Sequence, residues 1–223
     1  YPLAKFRASG YTKDFQNLQS DLEPWQRTLG ALILSEYRRN LFADCGQDIK
    51  PVVLLKSRRI VDSELFYKGF LEKLRHLSPG EITLLEPQGN DLLSKAISYF
   101  RGKDETLGSL VYALKLAFAE ENSIIMNGNR DNTVDKQLAV NSLEEPANPY
   151  RIIFTVDMLN EGWDVLNLFD IVRLYETRQS GRGKIAPYTI KEAQLIGRGA
   201  RYCPFIAELS QQRFMRKYDY DLD

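Results

Sequence analysis

Short apolar runs alternate with amphipathic segments along this chain, and this alternation limits the folds open to it more than any other feature. Residues 51–57 (PVVLLKS) and 151–156 (RIIFTV) have the continuous apolar character of strands that are buried on both faces of a sheet. Residues 170–176 (DIVRLYE) and 81–86 (EITLLE) are predicted to form two further strands. Strands that alternate with helices favour an α/β domain with a mainly parallel sheet that is flanked by helices.

Helices are predicted where apolar side chains recur at helical spacing before and between these strands. The predicted segments are residues 23–40, 63–77, 91–100, 106–121 and 134–145, followed by a helix that a capping box opens at 189–192 (TIKE). We expect residues 1–45 to form a lead-in segment and helix, and residues 46–223 to form the main domain. The paired helices within about 86–121 interrupt the alternation and are predicted to be a helical insertion.

The composition excludes several classes of protein. The chain has 30 Lys and Arg residues and 30 Asp and Glu residues, so any nucleic-acid surface must be a local patch. Cys45 and Cys203 match no metal spacing and are predicted to be free thiols of a reduced, cytoplasmic protein. With a single histidine, no metal site is predicted. No apolar run approaches the ~18 residues of a membrane span. The chain lacks an initiator methionine, and we expect it to be a piece of a longer protein.

Residues 194–202 (QLIGRGARY) place two arginines and two glycines within a predicted helix. At ~100° per residue, Gln194, Arg198 and Arg201 share one narrow stripe of that helix. Two guanidinium groups beside an amide suit a polyanion, most naturally a phosphate group. The alternative is a surface helix whose arginines are only solvated.

The other side of the same helix is predicted to pack on the sheet. It carries the small apolar face of Ala193, Ile196 and Ala200. Gly197 and Gly199 each cost roughly 1 kcal/mol against alanine in a helix interior, so their presence needs a physical reason. We expect the missing side chains to let another backbone or a ligand approach closely.

Three stretches of the chain resemble motifs of superfamily 2 helicases and translocases. QLIGRGAR is similar to their motif VI, Q-x-x-G-R-x-x-R; RIIFTVDMLNEGWDVLNLFDIVRLYE resembles motif V; and PVVLLKS stands where motif IV is expected. The phrases LLKS, FTVDMLNEGWDV and QLIGRGARYCPF most closely resemble the helicase and endonuclease (restriction) subunit of Type III restriction-modification enzymes. The resemblance covers roughly residues 50–205.

The resemblance implies that this chain is the second of two RecA-like domains of an ATP-dependent DNA translocase or helicase. In that family, ATP and Mg²⁺ bind between the two domains, and double-stranded DNA crosses both. The sequence contains no G-x-x-x-x-G-K-[ST] phosphate loop and no D-E-x-H-type acidic box, so the first domain must supply most of the nucleotide site. The chain alone is therefore expected to be inactive as an ATPase. The implied partners are the first RecA-like domain, double-stranded DNA and the modification methyltransferase subunit, in the cytoplasm of a prokaryote.

The resemblance also implies roles for residues of motifs V and VI. Arg198 and Arg201 would reach the γ-phosphate as catalytic arginine fingers, and Gln194 would orient the attacking water or the γ-phosphate. Gly162 would allow close approach, and Asp164 would contact the nucleotide ribose or support the two arginines. The alternative for Asp164 is a turn cap.

A second set of residues is implied to bind phosphates of the DNA backbone. Lys56, Ser57 and Thr155 lie at strand ends, where open α/β sheets gather their ligand-binding loops. The polar loop at 177–188 adds three basic side chains, Arg178, Arg182 and Lys184. The alternatives are a solvated charge for Lys56, a helix N-cap for Ser57, a plain strand-end hydroxyl for Thr155 and a solvated loop.

Two further side chains, Trp163 and His76, are predicted to have structural roles. Trp163 is expected to pack and not to stack on bases, and His76 is expected to lie at a helix C-terminus.

The first alternative function is a nucleic-acid-binding module with no ATPase role, which places no demand on paired arginines. The second is a metal-dependent nuclease that would use carboxylates such as Asp62 and Glu64. It ranks last, because VDSELFYK lacks a convincing acidic-lysine core.

Overall fold

The structure, a computed structural model, describes Lys13 and residues 21–86, 90–128, 133–156, 163, 165–175 and 194–200. The helices with full bounds in these ranges are α1 (Pro24–Asp44), α2 (Ile60–His76), α3 (Pro79–Leu85), α4 (Asp91–Lys103), α5 (Gly108–Ala117) and α6 (Val134–Asn141). The strands are β1 (Val52–Lys56), β2 (Ser123–Met126), β3 (Ile152–Thr155) and β4 (Leu168–Arg173). A 3₁₀ turn, Glu120–Asn122, precedes β2, and residues 194–199 are helical.

The strands form one parallel sheet in the order β2–β3–β1–β4. β1 pairs with β3 and β4, and β2 pairs with β3. Every residue of β1 is buried, because this central strand is covered on both faces. One extra residue, Phe169, stands on β4 between the partners of Val52 and Val53, which makes a β-bulge there. This all-parallel sheet with flanking helices confirms the predicted α/β, RecA-like fold.

Alternating side chains of the strands divide the core between the two faces of the sheet. Leu55 and Phe154 belong to a hydrophobic cluster that includes side chains of α1 to α5. Leu54 and Ile153 belong to a second cluster, which takes in side chains of α6 and Leu195. Helices therefore cover both faces, and the helix at 194–199 lies on the same face as α6.

The strands predicted from apolar runs are largely confirmed. Those at 51–57 and 151–156 are β1 and β3, and that at 170–176 is β4, which begins earlier, at Leu168. The first five predicted helices are also confirmed, with shifted ends. α1 and α4 run beyond their predicted ends, α5 and α6 are shorter than predicted, and α2 begins at Ile60. The division into a lead-in, a main domain and a helical insertion stays a prediction.

The strand predicted at residues 81–86 is wrong, because this segment belongs to α3. Pro79 occupies the first turn of α3, where its fixed φ and missing N–H are favourable. Ile82 and Leu85 lie one helical turn apart, and both are buried. A short apolar run fits the period of a strand and that of a helix, and the preceding proline favours the helix.

A buried ion pair and a second, partly exposed pair join α1 to the sheet. Arg151, just before β3, donates to Glu36 Oε1 at 2.8 Å and to the Pro51 carbonyl at 2.9 Å. Burial lowers the pKa of Arg151, and the charge of Glu36 opposes that shift. Arg38 pairs with Asp170 on β4; burial raises the pKa of Asp170, and Arg38 opposes this shift. Charged contacts therefore fix α1 on the sheet together with apolar packing.

Two predictions drawn from composition concern thiols and membrane spans. Cys45, just after α1, is a free and exposed thiol, as predicted, whereas Cys203 lies outside the residues that the structure describes. No helix in the described part of the chain has the length and apolar character needed to cross a bilayer.

Candidate functional site

The carboxyl edge of the sheet brings together the strand ends of motifs IV and V. Lys56 on β1 pairs in register with Thr155 on β3 and with Arg173 on β4. Because residues in register on parallel strands point to the same face, all three lie on the face that packs with Leu195. Two motifs that are far apart in sequence are therefore neighbours at this edge.

The three DNA-binding residues predicted at this edge are buried. Lys56, Ser57 and Thr155 are each at most 3% exposed. The Thr155 hydroxyl donates to the Met126 carbonyl at 2.8 Å, so its one proton is used within the sheet, which favours the strand-end role. The N-cap of α2 is Arg59, so the alternative that Ser57 caps this helix is wrong. DNA contacts by these three residues stay predictions.

The first exposed cation after β1 is Arg58, which is not among the DNA-binding residues predicted from the motifs. Its neighbour Arg59 donates two hydrogen bonds to Asp62, at 2.8 and 2.6 Å. These bonds raise the pKa of Arg59 and lower the pKa of Asp62. Arg59 is thus engaged in the first turn of α2, while Arg58 stands in the loop beyond the buried strand. The end of the apolar run is the signal that could have identified Arg58, since the chain returns to solvent there.

The motif VI helix packs on the sheet through a face that differs from the predicted one. Leu195 is 5% exposed and Ala200 is 2% exposed, whereas Ile196 is 42% exposed. The prediction for Ala200 is confirmed, that for Ile196 is wrong, and Ala193 lies outside the described residues. Leu195 and Gly199 lie one turn apart and face the sheet together. The larger Leu195 takes the place in the core that was predicted for Ile196.

The two glycines of this helix have different surroundings. A Cβ on Gly199 would come within 3.2 Å of Ile171 Cδ1 and 3.5 Å of Leu168 Cδ2, so this glycine lets the helix lie close against β4. A Cβ on Gly197 would meet no described atom within 4 Å. The expected approach by a ligand or another backbone is therefore wrong for Gly199, where the domain's own side chains approach. For Gly197 it stays a prediction.

Arg198 connects motif VI to motif V. Its Nη1 donates to the Trp163 carbonyl at 3.0 Å, and Trp163 stands between Gly162 and Asp164 in the sequence. Trp163 is 4% exposed, and its Nε1 donates to the Val140 carbonyl at 2.8 Å, which confirms the predicted packing role. A carbonyl that belongs to a buried residue thus orients the Arg198 guanidinium.

The polar side of the motif VI helix fits a phosphate group by its chemistry. Gln194 is exposed and stands one turn before Arg198, which is half-buried. A planar guanidinium fork and an amide both donate hydrogen bonds of the kind that phosphate oxygens accept. The other predicted site residues lie outside the described residues: Gly162, Asp164, Arg178, Arg182, Lys184 and Arg201.

The remaining side chains considered from the sequence are His76, Asp62 and Glu64, which all belong to α2. His76 is the last residue of α2, which confirms the prediction of a helix-end histidine. Its Nε2 lies 3.6 Å from Glu72 Oε1. Asp62 is bound by Arg59, and Glu64 is exposed. In the ranges that the structure describes, no three His, Cys, Asp or Glu side chains are placed to hold a metal ion.

Comparisons with known proteins agree with the motifs. The chain is 32% identical over 218 residues to the "Probable type III restriction-modification enzyme HindVIP Res subunit" of Haemophilus influenzae, with 86% of this chain and 42% of that protein covered. It thus spans less than half the length of that relative. A family model, HI_1054_N, described as an N-terminal region, matches residues 188–223, which include the motif VI helix. No solved structure matches the chain. The resemblance of this chain to the Res subunit of a Type III restriction-modification enzyme is therefore confirmed.

Proposed function

We propose that this chain is the second motor domain of an ATP-dependent DNA translocase, the restriction subunit of a Type III restriction-modification enzyme. A first RecA-like domain would complete the nucleotide site, and double-stranded DNA and a methyltransferase subunit would be the partners. The similarity to a Res subunit supports the assignment to a restriction subunit. The contact between motifs V and VI supports the motor role.

The observation that carries the proposal is the hydrogen bond from Arg198 to the Trp163 carbonyl. A merely solvated arginine needs no fixed main-chain acceptor, whereas a group that stabilises developing charge acts best when it is oriented in advance. The bond holds one nitrogen of the planar fork. Arg201, further along the same motif, is proposed to present a second guanidinium beside it.

Five residues of motifs V and VI have tasks at the nucleotide in this proposal. Bound ATP with its Mg²⁺ supplies the terminal phosphoanhydride bond whose hydrolysis drives movement. Arg198 and Arg201 offset negative charge on the γ-phosphate oxygens, and Gln194 orients the water or the γ-phosphate. Gly162 allows close approach, and Asp164 contacts the ribose or supports the arginines.

The DNA backbone is proposed to lie along the carboxyl edge of the sheet. Arg58 is an exposed cation there, and contacts with phosphates position a strand without reading its bases. Three basic side chains of the loop at 177–188 are proposed to extend this surface: Arg178, Arg182 and Lys184. Lys56, Ser57 and Thr155 are buried, so they would reach phosphates only if the edge opens.

ATP hydrolysis by a protein that carries both RecA-like domains tests the motor role. Arg198→Ala should lower kcat by about 10³ or more, which is what arginine fingers contribute in related phosphoryl-transfer enzymes. Arg198→Lys should recover little of this, because lysine lacks the planar fork. The matched control is Arg75→Ala, which removes an exposed arginine from the last turn of α2. The chain by itself should release no phosphate from ATP.

The result that would reject the motor role is a kcat near wild type in Arg198→Ala. A nucleic-acid-binding module with no ATPase role would then be the better assignment, since it makes no use of the motif VI arginines. Steady ATP turnover by this chain alone would reject the claim that a first domain completes the site.

Titrations with unrelated DNA sequences at several salt concentrations test the DNA surface. Binding should be weak, indifferent to sequence and steeply weakened by salt, because released counterions supply most of the driving force. Arg58→Ala should weaken binding evenly across sequences and reduce the salt slope by about 1. A strong preference for one sequence, or an affinity that salt leaves unchanged, would contradict a backbone contact.

A further inference from the structure

Lys13 makes its contacts at the C-terminal end of the motif VI helix. Its Nζ donates to the Gly199 carbonyl at 3.0 Å and to the Leu168 carbonyl of β4 at 2.8 Å. Its main-chain N–H donates to the Ala200 carbonyl at 2.8 Å. The same ammonium lies 4.4 Å from the centre of the Phe169 ring. One residue from the segment before α1 thus joins the end of this helix to the β-bulge of β4.

The position of Lys13 suits the chemistry of a helix end. The carbonyls in the last turn of a helix have no following helical N–H to accept from, so other donors must satisfy them. Lys13 supplies two such donors, one to Gly199 and one to Ala200. A cation at this end also interacts favourably with the helix dipole, and the aromatic ring beneath it adds a cation–π contact.

The packing below Gly199 gives the Lys13 bridge a mechanical task. Gly199 lies against Ile171 of β4 and has no side chain to seat between its neighbours. Contact of this kind prevents the helix from approaching further, but it opposes sliding along the sheet only weakly. The ammonium links Gly199 on the helix to Leu168 on the strand and therefore opposes the slide. Arg198 directly precedes Gly199, so any slide would displace its guanidinium.

We infer that Lys13 is a positioning residue for Arg198: its bridge between the Gly199 and Leu168 carbonyls holds the motif VI helix where the arginine meets the terminal phosphate. This inference rests on the proposed function, because it gives Lys13 an effect on hydrolysis only through Arg198. It makes Lys13, which precedes α1 in the sequence, part of the support of the nucleotide site.

Single-turnover ATP hydrolysis by a protein that carries both RecA-like domains tests the inference. Lys13→Met should lower the rate about 10- to 100-fold, as expected for a catalytic group misplaced by about 1 Å, and should leave the half-saturating ATP concentration within about twofold. Lys13→Arg should recover most of the rate, because a guanidinium can also bridge two carbonyls. In an Arg198→Ala background, Lys13→Met should cost less than about twofold further, since both changes act through one group. Lys68→Met, an exposed lysine of α2, is the matched control.

The outcomes separate the inference from the function on which it rests. An equal rate loss from Lys13→Met with and without Arg198 would show that the lysine acts independently, and it would overturn the inference. A wild-type rate in Lys13→Met, beside a large loss in Arg198→Ala, would overturn the inference and leave the motor role intact. A wild-type rate in Arg198→Ala would reject both. If Lys13→Met does not fold, Lys13→Gln, which keeps a donor without the charge, takes its place in the same cycle.

Discussion

Replacing each glycine of the motif VI helix with leucine should separate the stability of the domain from its activity. The two positions belong to one helix but face different surroundings. A Cβ at Gly197 meets no described atom within 4 Å, whereas a Cβ at Gly199 meets Ile171 Cδ1 at 3.2 Å. The same substitution is therefore made once where no described atom is near and once against β4.

The magnitudes follow from helix propensity and from packing. At Gly197, leucine should raise the free energy of unfolding by about 0.5–1 kcal/mol, because glycine is among the poorest residues in a helix interior and leucine among the best. At Gly199 the same gain is outweighed, since the Cβ is already in tight contact and the rest of the side chain must displace Ile171 or Leu168. Overpacking of this kind costs about 1–3 kcal/mol, so a net loss of up to about 2.5 kcal/mol is expected.

Urea denaturation measures the stability of both variants, and ATP hydrolysis in a protein with both RecA-like domains measures their activity. Gly197→Leu should fold at least as stably as wild type. It should hydrolyse ATP about tenfold more slowly, because Gly197 is proposed to face the first RecA-like domain and the added side chain would displace that domain's groups. Equal loss of stability in the two leucine variants would refute the packing argument. A wild-type rate in Gly197→Leu would refute the close approach at that position.

Two further predictions concern stability away from the site. Glu36→Ala should lower the free energy of unfolding by about 3–5 kcal/mol, because Arg151 stays buried without its charge partner. Glu36→Leu combined with Arg151→Met should lower it much less, because no buried charge is left unpaired. Urea denaturation of the two variants measures the difference. Hydrogen bonds from Ser109 and Thr106 lower the pKa of Asp104 to about 2. The stabilisation that Asp104 gives the folded state is therefore fully present above the unfolded pKa of 3.8, and it is lost as the pH falls towards 2. Asp104→Asn should melt below wild type at pH 7 and converge with it near pH 2, and a gap that is independent of pH would contradict this.

The sheet could be predicted because its buried strands are recognisable from local sequence. Residues 51–57 and 151–156 are continuous apolar runs, and such short runs are typical of strands inside a parallel sheet. Residues 81–86 could not be assigned in this way, because their apolar residues fit either period. The proline at position 79, read as a first-turn residue of a helix, was the signal that could have corrected the prediction.

The orientation of the motif VI helix could not be predicted from periodicity. Leu195 and Ile196 are adjacent and both apolar, so each could have faced the sheet. The deciding factor is the surface of β4, where Ile171 leaves room for a glycine one turn after Leu195. Lys13 was beyond prediction for a related reason, since its partners are main-chain carbonyls that only the folded chain brings together.

The contacts of Arg198 and its helix bear on how the proposed motor would close. The Trp163 carbonyl and the Lys13 bridge both belong to this domain, so the arginine is oriented before the first RecA-like domain arrives. An arginine that became ordered only on closure would lose about 1.5–2 kcal/mol of side-chain entropy at that step. Here that loss occurs when the domain folds, so closure can proceed as a rigid-body movement that brings an already oriented guanidinium to the phosphate. The contacts that hold Arg198 in place then contribute to hydrolysis along with the arginine itself, which is why Lys13→Met should lower the rate without touching the nucleotide.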